Sequence, residues 1–420
     1  MTSLMNDFPF HEKKDWIDKV RTELKGKDPS SLDFIDENGL LRKAYYDEKS
    51  LTDLDVLKEV QAAQQKAADW KIVIEMGEDS AEMTASIKSL LKGADALFLN
   101  QKNIGQLNVE ELSMQLPEIE LMSQKMHKGH SSLFKILFDP IGEYLSETVD
   151  LPFNSAQFVE EFKSTPKVYL LIDGLLYREK GATESQEISF LLQHAADYFD
   201  ILTEAGIPAA EIANRMLFRT GIGTDYLFEI AKCRALRTAI LRLFNGYQID
   251  AHPHLWGTSS AYSLSHIDEH SNLLRLSTMG LSAAIGNCDL IGLKPYNYWT
   301  TETRQEQRLS RNIQLLMKHE SYLNRVNDIA AGSYTIENYT SGLLSNSWED
   351  FLRVEKKGGM LHQLKHHHPF KSCEKVHRER VEFFKKGEKV MVGVNKYLSE
   401  EEADTEFIES IFSLSNSIVS

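Results

Sequence analysis

From Trp70 onward, short aliphatic runs recur between longer stretches with helical spacing. The runs are WKIVIEM (70–76), ALFLN (96–100), LFKILFD (133–139), VYLLID (168–173), MLFRTG (216–221), YQIDAH (247–252), DLIGLK (289–294) and KVMVGV (389–394). Most are continuously apolar rather than alternating, which is how a strand buried on both faces reads. Between them lie helical segments such as AEMTASIKSLLKGA, SQEISFLLQHAADYFDILTEAG, TDYLFEIAKCRALRTAILRLFNG and RQEQRLSRNIQLLMKHESYLNRV. Strand and helix in alternation imply a parallel sheet, and eight strands are the number that closes a barrel. The rival doubly wound sheet carries a Gly-rich phosphate turn after its first strand. Here GEDSAEM follows WKIVIEM, so that turn is absent. The expected fold is therefore α/β, a (β/α)8 TIM-type barrel. Extra helices around 302–326, 340–357 and 374–385 would fill the long interval before the last run.

Ahead of the first run, KKDWIDKVRTELKGKD spaces Trp16, Val20 and Leu24 as a helix that Gly26 and Asp28 stop. With Phe8 and Phe10 they make one apolar stripe, which such a short helix cannot bury by itself. It either packs on the main domain or docks on another subunit. The expected organisation is an N-terminal arm over 1–65, the barrel over 66–398 and an acidic tail over 399–420. Glu401, Glu402, Asp404 and Glu406 read as a solvated face of that tail.

A net charge of −15 disfavours general binding to nucleic acid or anionic lipid. Cys233, Cys288 and Cys373 are too few and scattered for a disulfide framework or zinc ribbon. No signal core opens the sequence and no run approaches a membrane span, so a cytoplasmic location is expected.

In such a barrel, chemistry sits where strands end. Asp139, Asp173 and Arg219 are candidates there, and the richest group is Asp250, His252, His254 and Trp256 in IDAHPHLWGTSS, joined by Lys294. The His-x-His pair could hold a metal in a barrel hydrolase. The further ligands that such a site needs do not stand in a recognisable order, so the group reads as polar residues satisfied at a barrel mouth. His362, His366, His367 and His368, and the pair His266 and His270, read as solvated helix residues. No Gly-x-Ser-x-Gly elbow, Cys-His pair, P-loop or dinucleotide fingerprint occurs.

Several long segments carry a resemblance. GATESQEISFLLQHAADYFDILTEAGI, RTGIGTDYLFEIAKCRALR, LLRLSTMGLSAAIGNCDLIGLKPYN, RLSRNIQLLMKHESYLNRVNDIAAGSYTIENYT and KVMVGVNKY resemble the methylmalonyl-CoA mutase family. DWIDKVRTELKGKD resembles the start of the small subunit in the two-chain bacterial enzymes. The resemblance implies a barrel that binds acyl-CoA, a cobalamin-binding domain after it, and a radical interconversion of methylmalonyl-CoA and succinyl-CoA. Adenosylcobalamin supplies the radical in that chemistry.

Departures from the family pattern imply a non-catalytic small subunit. The cobalamin loop, Asp-x-His-x-x-Gly, has its nearest string at Asp250-Ala-His252, with Leu255 where Gly is needed. The tail after KVMVGVNKY is too short for a cobalamin domain. In the family's Thr-His-x-Gln-Thr-Ser-x-Trp pattern, counting back from Trp256 puts Asp250 at the His position and His252 at the Gln position. The substrate segments Gly-Thr-Ile-Gln-Asn-Asp and Arg-Pro-Trp-Thr-Ile-Arg are not found. The expectation is no catalytic residue and no metal, with a degenerate pocket at Asp250, His252, His254, Trp256 and Lys294. Adenosylcobalamin would be held only by a large partner subunit, and a homodimer could form in that partner's absence. The alternatives are an active split mutase chain that takes cobalamin from a separate subunit, and the metal-dependent hydrolase.

Overall fold

The computed structural model describes residues 11–398, apart from 52, 65–68, 77–90, 100–110, 112, 115, 124–132, 147–152, 166–167, 300–303 and 365–367. Phe8, Phe10, His366, His367, most of the AEMTASIKSLLKGA segment and the tail over 399–420 lie outside the described residues.

The chain enters through helix α1 (Lys13–Glu23), a two-stranded hairpin of β1 (Phe34–Ile35) and β2 (Leu41–Arg42), and helix α2 (Leu54–Ala63). The left-handed residues Lys25 and Gly26 follow α1 and turn the chain, as its sequence predicts. No residue of α1 is fully buried; Trp16 stacks on Tyr45 with ring centroids 4.9 Å apart. The hairpin is held more firmly. Asn38 donates to Glu184 at 2.8 Å, Arg42 to Asp225 at 2.6 Å, and Glu37 accepts from Arg380 at 2.6 Å.

Eight parallel strands then close a barrel: β3 (Lys71–Glu75), β4 (Ala96–Leu99), β5 (Glu120–Ser123), β6 (Lys135–Phe138), β7 (Val168–Asp173), β8 (Met216–Ile222), β9 (Leu255–Ser259) and β10 (Leu290–Gly292). The last, β10, pairs with both β9 and β3. Six of the eight expected runs are these strands; two are not. YQIDAH is the turn after a helix, with Gln248 left-handed at φ 58°. The strand lies further on, at Leu255–Ser259. KVMVGV is outside the barrel, where Met391 and Val394 pack beside Tyr262 and Val381, and Gly393 turns the chain at φ 74°. The strand that the sequence hides is Glu120–Ser123, whose short run begins on a charged residue.

The helices after α2 are α3 (Pro140–Ser146), α4 (Ser155–Ser164), α5 (Gly174–Arg178), α6 (Glu184–Glu204), α7 (Ala209–Asn214), α8 (Tyr226–Gly246), α9 (Ser271–Ile285), α10 (Arg304–His319), α11 (Tyr334–Glu355), α12 (Gly359–Gln363) and α13 (Pro369–Lys385). The extra helices expected late in the chain are α10, α11 and α13; they follow barrel closure rather than precede a last strand. Sequence sets their ends. Thr183 and Gln186 form a reciprocal capping box on α6, and Pro369 occupies the first turn of α13.

Between β7–β8 and the helices α6 and α8 lies a buried ionic lattice. Lys232 meets Glu187 at 3.0 Å and Glu229 at 2.6 Å, while Arg178 meets Glu229 and Glu184, each at 2.8 Å. Glu187 also accepts from Thr220 Oγ1 at 2.6 Å and from the Gly221 amide at 2.8 Å, which ties α6 to β8. Burial would push the Lys232 pKa down, but Glu187 and Glu229 hold it above its ordinary value. Removing one partner strands buried charge, which costs about 3–5 kcal/mol. Lys232→Met is therefore expected to lower unfolding stability by about that amount in urea titration, with the m-value unchanged.

Candidate functional site

Alternation along the strands sends every second side chain into the barrel, and the inward residues form three tiers. At the end where strands begin, Lys71 bonds Glu120 at 2.7 Å and Lys135 lies 3.3 Å from the same carboxylate. Lys135 also stands over the Tyr169 ring at 4.0 Å. Burial pushes Glu120 up, but the two lysines more than offset it and hold the carboxyl below its ordinary pKa. The middle tier is apolar: Val73, Ala96, Met122, Leu137, Leu171, Leu217, Trp256 and Leu290.

The third tier faces the mouth. Phe98 packs edge-on to Trp256 at 5.3 Å, and the Arg219 guanidinium lies over Trp256 at 4.9 Å. Arg219 Nε donates to Asp173 at 2.8 Å, and its Nη2 bonds the second carboxylate oxygen. Burial alone would lower the Arg219 pKa; the adjacent Asp173 carboxylate instead raises it above the ordinary value. Glu75 on β3 accepts a hydrogen bond from Thr258 on β9, passing over Gly292 of the intervening β10, where a Cβ would run into the Glu75 carboxylate. Beyond this tier, Glu179 accepts from the amides of Ala261 and Tyr262 at 2.7 and 2.9 Å and from Ser260 Oγ at 3.1 Å. Burial pushes its pKa up, with Lys294 opposing.

The residues expected to share a pocket are divided between the two ends. Trp256 is fully buried inside the barrel, its Nε1 without an acceptor among the described residues. Lys294 follows β10 at the mouth, 5.8 Å from the Tyr298 ring centroid. Asp250, His252 and His254 precede β9, so they sit at the opposite end, exposed. Placing Asp250 at the mouth is thereby corrected: β9 starts after it, and the inward positions on this strand are Trp256 and Thr258. His252 Nε2 accepts from Arg237 at 2.9 Å, which occupies the lone pair a metal would need. Its ring centroid is 6.2 Å from that of His254. Among the described residues, no group of three or more His, Cys, Asp or Glu could hold a metal.

Asp139 also points away from the mouth, into the helix layer. It lies 2.9 Å from His194 Nε2, accepts from Tyr198 Oη at 2.7 Å and caps α3 through the Gly142 amide at 2.8 Å. His266 and His270 each face an aromatic ring, Trp299 and Tyr296, and His368 caps α13. Glu75, Phe98, Glu120, Lys135 and Glu179 were not among the expected site residues. Period-two reading of KIVIE, which aligns Lys71, Val73 and Glu75 on one face, is the signal that finds the first of them.

These placements have measurable consequences. Asp250→His is expected to change unfolding stability by no more than about 0.5 kcal/mol, as at any exposed site outside a network; a larger shift in urea midpoint would place Asp250 in a packed environment. A second consequence concerns carboxyls between α6 and α11. Burial pushes Asp197 up to about 6 and Glu355 up to about 7, with Asp200 adding to both. Their folded pKa values lie above the unfolded ones of about 4, so the folded state binds more protons in between. The stability that these two groups contribute is then fully present below about pH 4 and declines as pH rises through about 6–7. Glu355→Gln should flatten that decline in denaturation series taken across the range.

The family profile described as Methylmalonyl-CoA mutase matches residues 146–412. The Methylmalonyl-CoA mutase small subunit of Porphyromonas gingivalis is 28% identical over 403 residues, covering 85% of this chain and 65% of that protein. The small subunit of Propionibacterium freudenreichii subsp. shermanii is 30% identical over 214 residues, covering 50% of this chain and 34% of that protein. The Methylmalonyl-CoA mutase of Rhizobium meliloti is 29% identical over 253 residues, covering 59% and 36%. The chain thus spans from about a third to just under two thirds of the length of these relatives. With a closed eight-stranded parallel barrel and a family match over more than half its length, this chain belongs to the methylmalonyl-CoA mutase family.

Proposed function

We propose that the chain is a small, non-catalytic subunit of a methylmalonyl-CoA mutase, working beside a large subunit that holds adenosylcobalamin and the acyl-CoA. One observation carries this reading: the barrel axis is occupied at three successive levels. The ionic tier around Glu120, the apolar tier around Trp256 and the Arg219–Asp173 tier fill the described interior with the protein's own side chains. An acyl chain admitted to that axis would have to displace packed side chains and a buried ion pair, which is unfavourable.

The residues present do not fit cobalamin either. In the one string that approaches the family's cobalamin loop, His252 Nε2 is taken by Arg237, and Leu255 is a fully buried residue of β9 rather than a loop residue. No step of a radical reaction is therefore assigned to this chain. Its role in the complex is to present a rigid barrel surface to the catalytic partner. No helix among the described residues is long and apolar enough to cross a membrane.

The purified chain is expected to leave the visible spectrum of adenosylcobalamin unchanged at micromolar concentrations and to show no mutase turnover, alone or as Asp250→His. Co-expression with a large mutase subunit should yield a complex that binds cobalamin and turns over. Turnover by this chain with cobalamin and no partner would overturn the reading.

A further inference from the structure

The fold brings together two of the three cysteines that the sequence scatters. Cys233 lies on α8, and Cys288 lies in the turn between α9 and β10, 55 residues further on. Their sulfurs are 3.7 Å apart, within reach of an S–H···S bond. Cys233 is 0% exposed and Cys288 1%, and Cys373 on α13 is buried as well. The surroundings are shaped to the pair. A Cβ at Gly257 would stand 2.9 Å from Cys288 Sγ, and one at Gly286 would stand 2.8 Å from Cys233 Cβ. One glycine on β9 and one at the end of α9 thus leave the room that the two thiols fill.

A disulfide holds its sulfurs at about 2.0 Å, so this pair has less than about 2 Å left to close. The partner sulfur and burial push the Cys233 thiol well above its ordinary pKa. A thiol kept protonated in this way attacks an oxidant slowly, since the thiolate is the nucleophile. Once one sulfur has reacted, however, the other already lies against it. The position matters for the fold. The strand β10 pairs with both β9 and β3, so it closes the ring, and Cys288 stands two residues ahead of it. The helix α8 carries Glu229 and Lys232 of the buried ionic lattice.

We propose that Cys233 and Cys288 form an oxidative modification site, at which a hydroperoxide converts the two thiols into a disulfide that staples α8 to the strand closing the barrel. One thiol gives up its proton and attacks the peroxide. An S–O bond forms, the O–O bond breaks, and water or an alcohol leaves with that proton, which gives a sulfenic acid. The second sulfur then attacks the first. The S–S bond forms, the S–O bond breaks, and the hydroxyl leaves as water with the second thiol's proton. The two sulfurs lose two electrons and the peroxide gains them. The link closes a long loop, which restricts the unfolded chain and stabilises the closed ring. The proposal stands independently of the mutase reading, since it uses only the pair and its place in the barrel.

The test uses the full wild-type chain, so it depends on no substitution that has to fold. Folded protein is treated with excess hydrogen peroxide, quenched with catalase and alkylated with iodoacetamide in denaturant. Peptide mapping then locates the link and separates it from methionine oxidation. A Cys233–Cys288 link within one chain is expected, with Cys373 alkylated. The melting temperature should rise by several degrees, and dithiothreitol should reverse both changes. The variant C288A, treated alike, should gain no internal link and no upward shift. Alkylation of all three cysteines after treatment of the folded chain would overturn the proposal, as would a link to Cys373 or between two chains. So would sulfinic or sulfonic acid at Cys233 or Cys288 in place of the link, a melting temperature that falls on linking, or the same upward shift in C288A.

Discussion

Closing eight parallel strands into a ring creates an interior that water cannot enter and that something has to fill. In this protein the filling is done by the chain itself. Because side chains alternate along each strand, choosing the residue at one inward position commits every second residue to the same space. Lys71, Val73 and Glu75 are one such series, and they supply a member to each tier. Arg219 and Glu75 are tolerated inside because each meets an opposite charge or a hydroxyl, Arg219 with Asp173 and Glu75 with Thr258, while Lys71 reaches Glu120 from the solvent-exposed end. The apolar middle tier, with Trp256 as its largest member, separates the two polar ones.

A second set of buried charges lies outside the ring, between the strands and the helix layer. Arg178, Glu184, Glu187, Glu229 and Lys232 bind α5, α6 and α8 to β8, while Arg234 meets Glu337 and Arg237 meets Asp289. Most of these residues fall within GATESQEISFLLQHAADYFDILTEAGI and RTGIGTDYLFEIAKCRALR, two of the segments through which the family is recognisable. What those segments encode here is how helices are fastened to a barrel. A chain can keep them for structural reasons and hold no substrate, which is why family membership and a non-catalytic role are compatible.

Where sequence reading and structure part, the causes are local. Glu120–Ser123 escapes a search for aliphatic runs because its first inward position has to be a carboxylate, the partner of Lys71 and Lys135. Leu255–Ser259 escapes because small and hydroxyl residues follow Trp256. Gly257 is required there: a Cβ would stand 2.9 Å from Cys288 Sγ and 3.1 Å from Ala283 Cβ. Reading that strand a few residues too early puts Asp250 and the two histidines at the wrong end of it. A strand only about five residues long has two chemically unrelated ends, so a small shift exchanges mouth for base.

The barrel class, the N-terminal helix with its Gly26 stop, the late helices and the family are all legible along the chain, because periodicity, capping and long motifs are local properties. Which strand closes the ring, which residues face its axis and which candidate side chains meet are settled in three dimensions. Those depend on register between strands far apart in sequence, as when Lys71 finds Glu120 and Glu75 finds Thr258. No single segment contains the information that the described axis is full. The tiers draw on strands from Lys71 to Gly292, and it is the meeting of those strands that packs the axis with the chain's own side chains.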